Sequence, residues 1–273
     1  MTGRRQLIVN ADDFGFTPDV NDGIVDAHAQ GILTATTLMA NGPAFDHAVG
    51  LTARYPNLDV GCHLVLVGGR SLLPPHSDLP RTVSELVSAL AAGRLRVYEE
   101  LSAQIRKILE AGLRPSHLDT HKHTHLAPPV LAAVARISRE FAIPWVRRPF
   151  DFPLTGMCGT VPHLKRLTSR SLGVLRRRFH RVLSEHGCRT TDHFAGFQIT
   201  GRFRISELVC LIRQLPEGLT ELMCHPGYCR DALLRASTRL KQCREEELAA
   251  LISPEVKQAL IDGGVELTSY RRL

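Results

Sequence analysis

Two short stretches of the chain combine carboxylates and imidazoles at spacings that suit the binding of a metal ion. The first, residues 119–125, reads Asp-Thr-His-Lys-His-Thr-His. If an extended backbone continues through it, alternate side chains share one face, so a carboxylate and three imidazoles would all point the same way. These residues are Asp119, His121, His123 and His125. Such a face is costly in an apolar core, but it is a natural source of metal ligands and of the groups that orient them.

The second stretch, residues 10–15, directly follows the apolar run 7–9 and contains two neighbouring carboxylates, Asp12 and Asp13. This pattern predicts a buried strand that ends in acids. In an ideal strand the two side chains point to opposite sides, so one of them can bind a metal while the other acts as a general base. Two more histidines fall late in apolar runs. His63 lies late in the predicted strand 58–66, and His225 follows the run 219–224.

Short apolar runs alternate with helical spacing from end to end, which predicts a parallel sheet covered by helices. The predicted strands are residues 6–10, 33–40, 58–66, 115–121, 144–148, 192–198, 219–225 and 265–269. The predicted helices are residues 19–30, 44–55, 82–92, 97–112, 127–141, 163–186, 204–215 and 244–262. Seven or eight such units in one domain, residues 1–273, favour an α/β fold of the distorted (β/α) barrel type, with a doubly wound open sheet as the alternative. No glycine-rich nucleotide-binding motif follows a predicted strand.

The acids and histidines named above fall at the carboxyl ends of predicted strands, where active sites gather in parallel α/β folds. A catalytic ion typically keeps about three protein ligands and one open position. One carboxylate and two imidazoles suit Zn²⁺, Co²⁺, Mn²⁺ or Ni²⁺ better than Mg²⁺, which prefers oxygen. A second carboxylate then serves as the base, and His225 is the candidate acid for a leaving amine. We therefore expect a hydrolase that uses one divalent metal ion.

The formal net charge is +7 and the pI is about 9.3, but aromatic residues make up only 5% of the chain. Since no nucleic-acid reading motif accompanies the basic residues, we expect no nucleic-acid partner. No apolar run reaches the roughly 18 residues of a membrane span, and the N-terminus lacks the apolar core of a signal peptide, so a cytoplasmic location is expected.

The segments 7–15, 61–63, 119–125 and 223–226 together resemble the YdjC-like carbohydrate deacetylases, and the likeness runs from Leu7 to the tail at 269–271. The resemblance implies a distorted (β/α) barrel and removal of an N-acetyl group from an amino sugar. Carried over residue by residue, it implies the following roles: Asp13, His63 and His121 as metal ligands, Asp12 as the base and His225 as the acid. It also implies residues that support the ligands or face the substrate: His123, His125, Asp119 and Arg148.

Residues 196–229 look most like the hopanoid-biosynthesis-associated branch of that family, which implies an acetylated amino sugar joined to a lipid. The predicted helix 163–186 has an apolar side and a basic side. Such a helix either contacts an anionic membrane from the cytoplasmic face or packs its apolar side on the barrel. The alternatives are a deacetylase of soluble chitooligosaccharides and, from another reaction class, a phosphoesterase with two metal ions. The sequence leaves the oligomeric state open.

Overall fold

Apolar strands alternate with helices, as the sequence pattern predicts. The computed structural model describes residues 3–153 and 173–273. Within these ranges the strands are β1 (Arg5–Phe14), β2 (Ala35–Leu38), β3 (Asp59–Leu64), β4 (His117–Thr120), β5 (Trp145–Val146), β6 (His193–Ala195), β7 (Gly218–Cys224) and β8 (Val265–Leu267). They form one sheet in the order β5-β4-β3-β2-β1-β7-β6, with β8 paired to β1, and all the pairings between these strands are parallel.

Helices cover the outside of this sheet. In the described part of the chain the α-helices are α1 (Pro18–Gln30), α2 (Phe45–Arg54), α3 (Val83–Ala91), α4 (Val97–Glu110), α5 (Pro128–Glu140), α6 (Arg176–Glu185), α7 (Ile205–Arg213), α8 (Asp231–Arg235), α9 (Cys243–Ile252) and α10 (Pro254–Asp262). Short 3-10 helices span His121–Leu126, Gly173–Leu175 and Tyr270–Arg272. None of the helices in residues 3–153 and 173–273 is both long and apolar enough to cross a bilayer.

Strand β1 is the centre of the sheet. Leu7, Ile8 and Val9 are fully buried, as expected for a parallel strand with both faces covered. One edge of β1 pairs with β7, and the other pairs with β8 at its start and with β2 near its end. The pairing with β2 becomes irregular between Ala11 and Phe14. This irregularity re-aims the two side chains between these positions, as bulges commonly do beside functional sites.

The sheet closes through residues that follow the short strand β5. Asp151 forms an isolated parallel bridge with Phe194 of β6, and the Phe152 amide donates to the carbonyl of Phe194 at 2.9 Å. The Asp151 carboxylate accepts the backbone N–H groups of Phe197 and Gln198 at 3.1 and 2.8 Å. The fold is therefore a distorted (β/α) barrel, which confirms the predicted class. Because the strands are parallel, their carboxyl ends share one rim.

Several predicted elements differ from the structure in length. Strands β2, β5 and β6 are shorter than the apolar runs that predicted them. The predicted helix 244–262 is two helices, because Pro254 has no N–H for a continuous helix and Ser253 caps the second one. Of the predicted helix 163–186, residues 163–172 lie outside the described residues. In its described part, Phe179 and Leu183 are buried against the barrel.

Candidate metal centre

Three ligand atoms from three strand ends converge on one point at the carboxyl rim. Nε2 of His63 lies 3.4 Å from Oδ1 of Asp13 and 3.2 Å from Nδ1 of His121, and the latter two atoms are 3.3 Å apart. Ligands at about 2.0–2.1 Å from a tetrahedral ion lie roughly 3.3 Å from one another, so the spacing fits one small divalent cation. Asp13 and His63 are buried, whereas the His121 side chain is 24% exposed, which leaves one side of the centre open.

Local backbone geometry aims the two neighbouring aspartates. Asp13 has a φ of 70°, which is the left-handed region that few residues other than glycine adopt. It follows the irregular pairing at the end of β1, so the ideal alternation expected from the sequence does not apply there. As a result both carboxylates reach the same rim. Asp13 meets the two histidines, and Asp12 lies beside it against Arg147.

His63 is oriented by a carboxylate on the neighbouring strand. It is in register with Asp119 across β3 and β4, and its Nδ1–H donates to Asp119 Oδ1 at 2.7 Å. The Thr37 hydroxyl donates to the other Asp119 oxygen at 3.0 Å. The hydrogen bond between His63 and Asp119 keeps a proton on Nδ1 and turns Nε2 toward the centre, as outer carboxylates do for histidine ligands. Burial alone would lower the pKa of His63, but Asp119 outweighs it and raises the pKa to about 10. The carboxylates around His63 therefore favour a positive charge at the centre.

The prediction that residues 119–125 form one extended face is wrong. Strand β4 ends at Thr120, and the chain continues as a 3-10 turn in which Lys122 and His123 have φ values of 55° and 52°. Only His121 of the three histidines faces Asp13 among the described contacts. The reversal of the backbone thus separates imidazoles that a straight strand would have kept together.

The other two histidines of this run take different surroundings. His125 is fully buried; its Nε2–H donates to the Arg147 carbonyl at 3.0 Å, and its Nδ1 contacts the Thr120 hydroxyl at 2.5 Å. His123 packs on the rings of Phe194 and Phe197, with centroids 6.0 and 5.7 Å away. Burial lowers the pKa of both histidines, to about 4 for His125. Both imidazoles are therefore neutral near neutral pH.

A buried arginine that the sequence analysis did not select holds Asp12. The guanidinium of Arg147 makes two hydrogen bonds to the Asp12 carboxylate, at 2.7 and 2.8 Å. It also lies 2.7 Å from Asp119 Oδ2 and donates to Glu221 Oε1 at 2.7 Å. Burial would raise the pKa of Asp12, but Arg147 outweighs it and holds that pKa well below its usual range. Asp12 is therefore ionised and fixed in orientation.

The neighbouring arginine does not join this cluster. Arg148, which the resemblance implies on the substrate side, donates to the backbone carbonyl of Asp192. One signal in the sequence points to Arg147: Glu221 lies within the apolar run of β7, and a carboxylate on a buried strand requires a cationic partner. The first residue after β5 reaches the same rim, and it is Arg147.

His225 lies near both Asp12 and Glu247. Its Nε2 is 3.9 Å from Asp12 Oδ2, and its Nδ1 is 3.9 Å from Oε2 of Glu247. Burial lowers the pKa of His225 to about 4, against the opposing effect of Asp12. The imidazole is therefore neutral near neutral pH and can accept a proton from the Asp12 side.

Helix α9 brings a second buried arginine to the centre. Arg244 donates to Oδ2 of Asp13 at 2.5 Å, and its side chain is 1% exposed. This contact occupies one oxygen of the Asp13 carboxylate and leaves Oδ1 for the centre. Glu247, one helical turn further along α9, contacts His225. Sequence spacing could not have found these two residues, because α9 lies more than 200 positions from Asp13 and carries no motif.

Comparison with known proteins gives the family. The sequence profile described as YdjC-like protein matches residues 6–262. The chain is 34% identical to a carbohydrate deacetylase from Brevibacillus brevis, over 98% of this chain and 99% of that one. It is 32% identical to a carbohydrate deacetylase from Vibrio cholerae, over 98% and 96% of the two chains.

A solved structure shares the fold. A candidate cellobiose-phosphate cleavage protein from Enterococcus faecalis V583 superimposes with a TM-score of 0.78 at 24% identity, over 98% of each chain. At that identity the likeness shows a common fold. The profile match and the full-length relatives together show that the chain belongs to the YdjC-like family.

Proposed function

We propose that the protein is a metal-dependent carbohydrate deacetylase that hydrolyses the N-acetyl group of an amino sugar. The observation that carries the proposal is the convergence of Asp13, His63 and His121 within 3.2–3.4 Å of one another, beside Asp12 and His225. The carbohydrate deacetylases that match this chain over nearly its whole length support the substrate class.

A divalent ion held by the three ligands would polarise the acetyl carbonyl and lower the pKa of a water molecule. The nitrogen donors favour Zn²⁺, Co²⁺, Mn²⁺ or Ni²⁺ over Mg²⁺. Asp13 contributes one oxygen only, since Arg244 holds the other. His63 contributes Nε2 because Asp119 occupies its Nδ1–H. These contacts therefore decide which atom of Asp13 and which atom of His63 face the ion.

Asp12 and His225 divide the proton transfers of amide hydrolysis. Asp12 is ionised and takes a proton from the attacking water, while Arg147 keeps its carboxylate in place. The leaving amine then needs one proton. His225 is neutral in the free protein, but its Nε2 lies 3.9 Å from Asp12 Oδ2, so it can receive the proton that Asp12 has taken. His225 then delivers that proton to the amine nitrogen, and the proton count balances.

The geometry disfavours the phosphoesterase alternative. Two-metal phosphoesterases use additional carboxylates to bridge a second ion. The carboxylates next to the centre are Asp12 and Asp119, and Arg147 binds both of them at 2.7–2.8 Å. A second cation at this point would have to displace a buried guanidinium. One metal ion per chain is therefore the expected stoichiometry.

We further propose an N-acetylglucosaminyl lipid of the hopanoid type as the substrate, on the resemblance of residues 196–229 to that branch. Soluble chitooligosaccharides are the alternative. In the described part of helix 163–186 the apolar residues Phe179 and Leu183 pack on the barrel, so any contact with an anionic membrane would use the exposed basic side of α6.

The test is acetate release from N-acetylglucosaminyl substrates with and without a lipid aglycone, after chelation and metal add-back. We expect activity to disappear on chelation and to return with about one equivalent of Zn²⁺, Co²⁺, Mn²⁺ or Ni²⁺. His63→Ala and His121→Ala should lose both bound metal and activity, whereas His76→Ala, an exposed residue, should lose neither. Acetate release by a metal-free protein would contradict the proposal.

A further inference from the structure

Glu247 is a fully buried carboxylate that the proposed mechanism has not used. It lies on α9, and its Oε2 accepts the backbone N–H of His225 at 2.5 Å. Its Oε1 accepts the backbone N–H of Gly201 at 3.2 Å. Glu247 therefore ties the end of β7 to the loop before α7. Burying a carboxylate costs free energy unless a cation pairs with it, so the position of Glu247 beside His225 needs an explanation.

The imidazole of His225 lies between two carboxylates. Its Nε2 is 3.9 Å from Asp12 Oδ2, and its Nδ1 is 3.9 Å from Glu247 Oε2. Nδ1 is buried and has no hydrogen-bond partner among residues 3–153 and 173–273. Nδ1 has to approach Glu247 by less than about 1 Å to donate a hydrogen bond, and catalytic hydrogen bonds commonly shorten in this way when substrate binds.

We propose that Glu247 is the positioning residue for His225. Its carboxylate accepts Nδ1–H, which keeps Nε2 directed at Asp12 and at the leaving amine. It also stabilises the imidazolium that exists between the two proton transfers. This inference rests on the proposed deacetylase function and adds to it a residue one helical turn from Arg244, the arginine that holds Asp13.

The chemistry of the side chain supports this role over a purely structural one. Backbone N–H groups need acceptors but no net charge, and an amide oxygen, which has two lone pairs, accepts hydrogen bonds without burying a charge. Burial raises the pKa of Glu247 to about 7, against the hydrogen bonds from His225 and Gly201 and the charge of Arg244. A positive charge that forms on His225 offsets the cost of the buried carboxylate. A negative charge here thus stabilises the state in which the imidazole carries two protons.

The test compares two substrates that differ in their need for a general acid. An N-acetylglucosaminide has a poor leaving amine that must be protonated, whereas 4-nitrophenyl acetate has a leaving group that needs no proton. Glu247→Gln should lower kcat for the amide about 10- to 100-fold with little change in KM, and should change ester hydrolysis by less than about twofold. The matched control is Glu246→Gln on the exposed side of α9, where Glu246 pairs with Arg204; it should behave as wild type.

The outcomes separate this inference from the proposed function. If wild type releases no acetate from the amide, the proposed function fails. If wild type is active and Glu247→Gln loses both activities equally, or loses neither, the positioning role is overturned. Should Glu247→Gln not fold, ¹⁵N NMR of histidine-labelled wild type gives a second measurement, with His225 assigned by its loss in His225→Gln. A proton on Nδ1 supports the inference, and a proton on Nε2 alone overturns it.

Discussion

The buried guanidinium of Arg147 gives the most informative perturbation. It contacts three carboxylates at 2.7–2.8 Å, those of Asp12, Asp119 and Glu221, and its side chain is fully buried. Arg147→Met keeps much of the volume but leaves three acids without their shared cation. Removing one partner of a buried ion pair costs about 3–5 kcal/mol. We expect at least that loss, which is a large part of the roughly 5–15 kcal/mol of a typical domain.

The effect can be measured by thermal unfolding and by acetate release. For a chain of this size, 3–5 kcal/mol lowers Tm by roughly 10 °C. Without Arg147, burial dominates and the pKa of Asp12 rises, so the folded state takes up protons and the stability deficit shrinks as the pH falls. Activity should fall at least about 100-fold at neutral pH, because the base is protonated and misplaced.

The variant Arg147→Lys distinguishes the effect of the positive charge from the effect of the paired hydrogen bonds to Asp12. Lysine keeps one positive charge but cannot form the two parallel hydrogen bonds to Asp12. We expect this variant to recover much of the stability and little of the activity. A variant Arg147→Met with wild-type Tm, or Arg147→Lys with full activity, would refute the reasoning that Arg147 both neutralises and orients the acids.

Three further predictions follow from individual contacts. Asp12→Asn should retain the ion in metal analysis, because the ligands remain, yet lose about 10²- to 10⁴-fold in kcat. Arg244→Met should weaken metal binding about 10- to 100-fold in chelator competition, because Oδ2 of Asp13 loses its donor. The pKa of His125 is about 4 in the folded protein, against an ordinary value of 6.5. The unfolded chain therefore binds more protons between these values, so stability is full above about pH 6.5 and is lost toward pH 4, by up to about 3 kcal/mol. Denaturation of wild type and His125→Asn across this range should show a shallower loss in the variant.

Full activity in Asp12→Asn would show that another group is the base. Arg244→Lys should bind metal with intermediate affinity, and an unchanged affinity in Arg244→Met would show that Asp13 is held by other contacts. His76→Asn, which alters an exposed histidine, should keep the wild-type pH dependence. An identical dependence in His125→Asn would contradict the proton-linkage argument.

Local patterns determined the fold class and the location of the candidate site. The run 7–9 is apolar on both faces, and Asp12 and Asp13 follow it after two residues, which is the pattern of a central parallel strand. His63 lies late in a similar run, and His225 follows another. Because all such strands run the same way, their ends must share a rim, and this follows from strand periodicity and connection rules alone. The extended face predicted for 119–125 was wrong, since strand alternation cannot foresee where a strand stops.

Only the tertiary structure decided which groups meet. The left-handed backbone at Lys122 and His123 leaves His121 facing Asp13, and it depends on packing against distant residues. The sequence does not show which of the adjacent arginines, Arg147 or Arg148, contacts the buried acids. In the structure it is Arg147. Glu247 reaches His225 from a helix whose own sequence shows no signal. Periodicity records which face a residue occupies, whereas the partner on that face is set by the path of the rest of the chain.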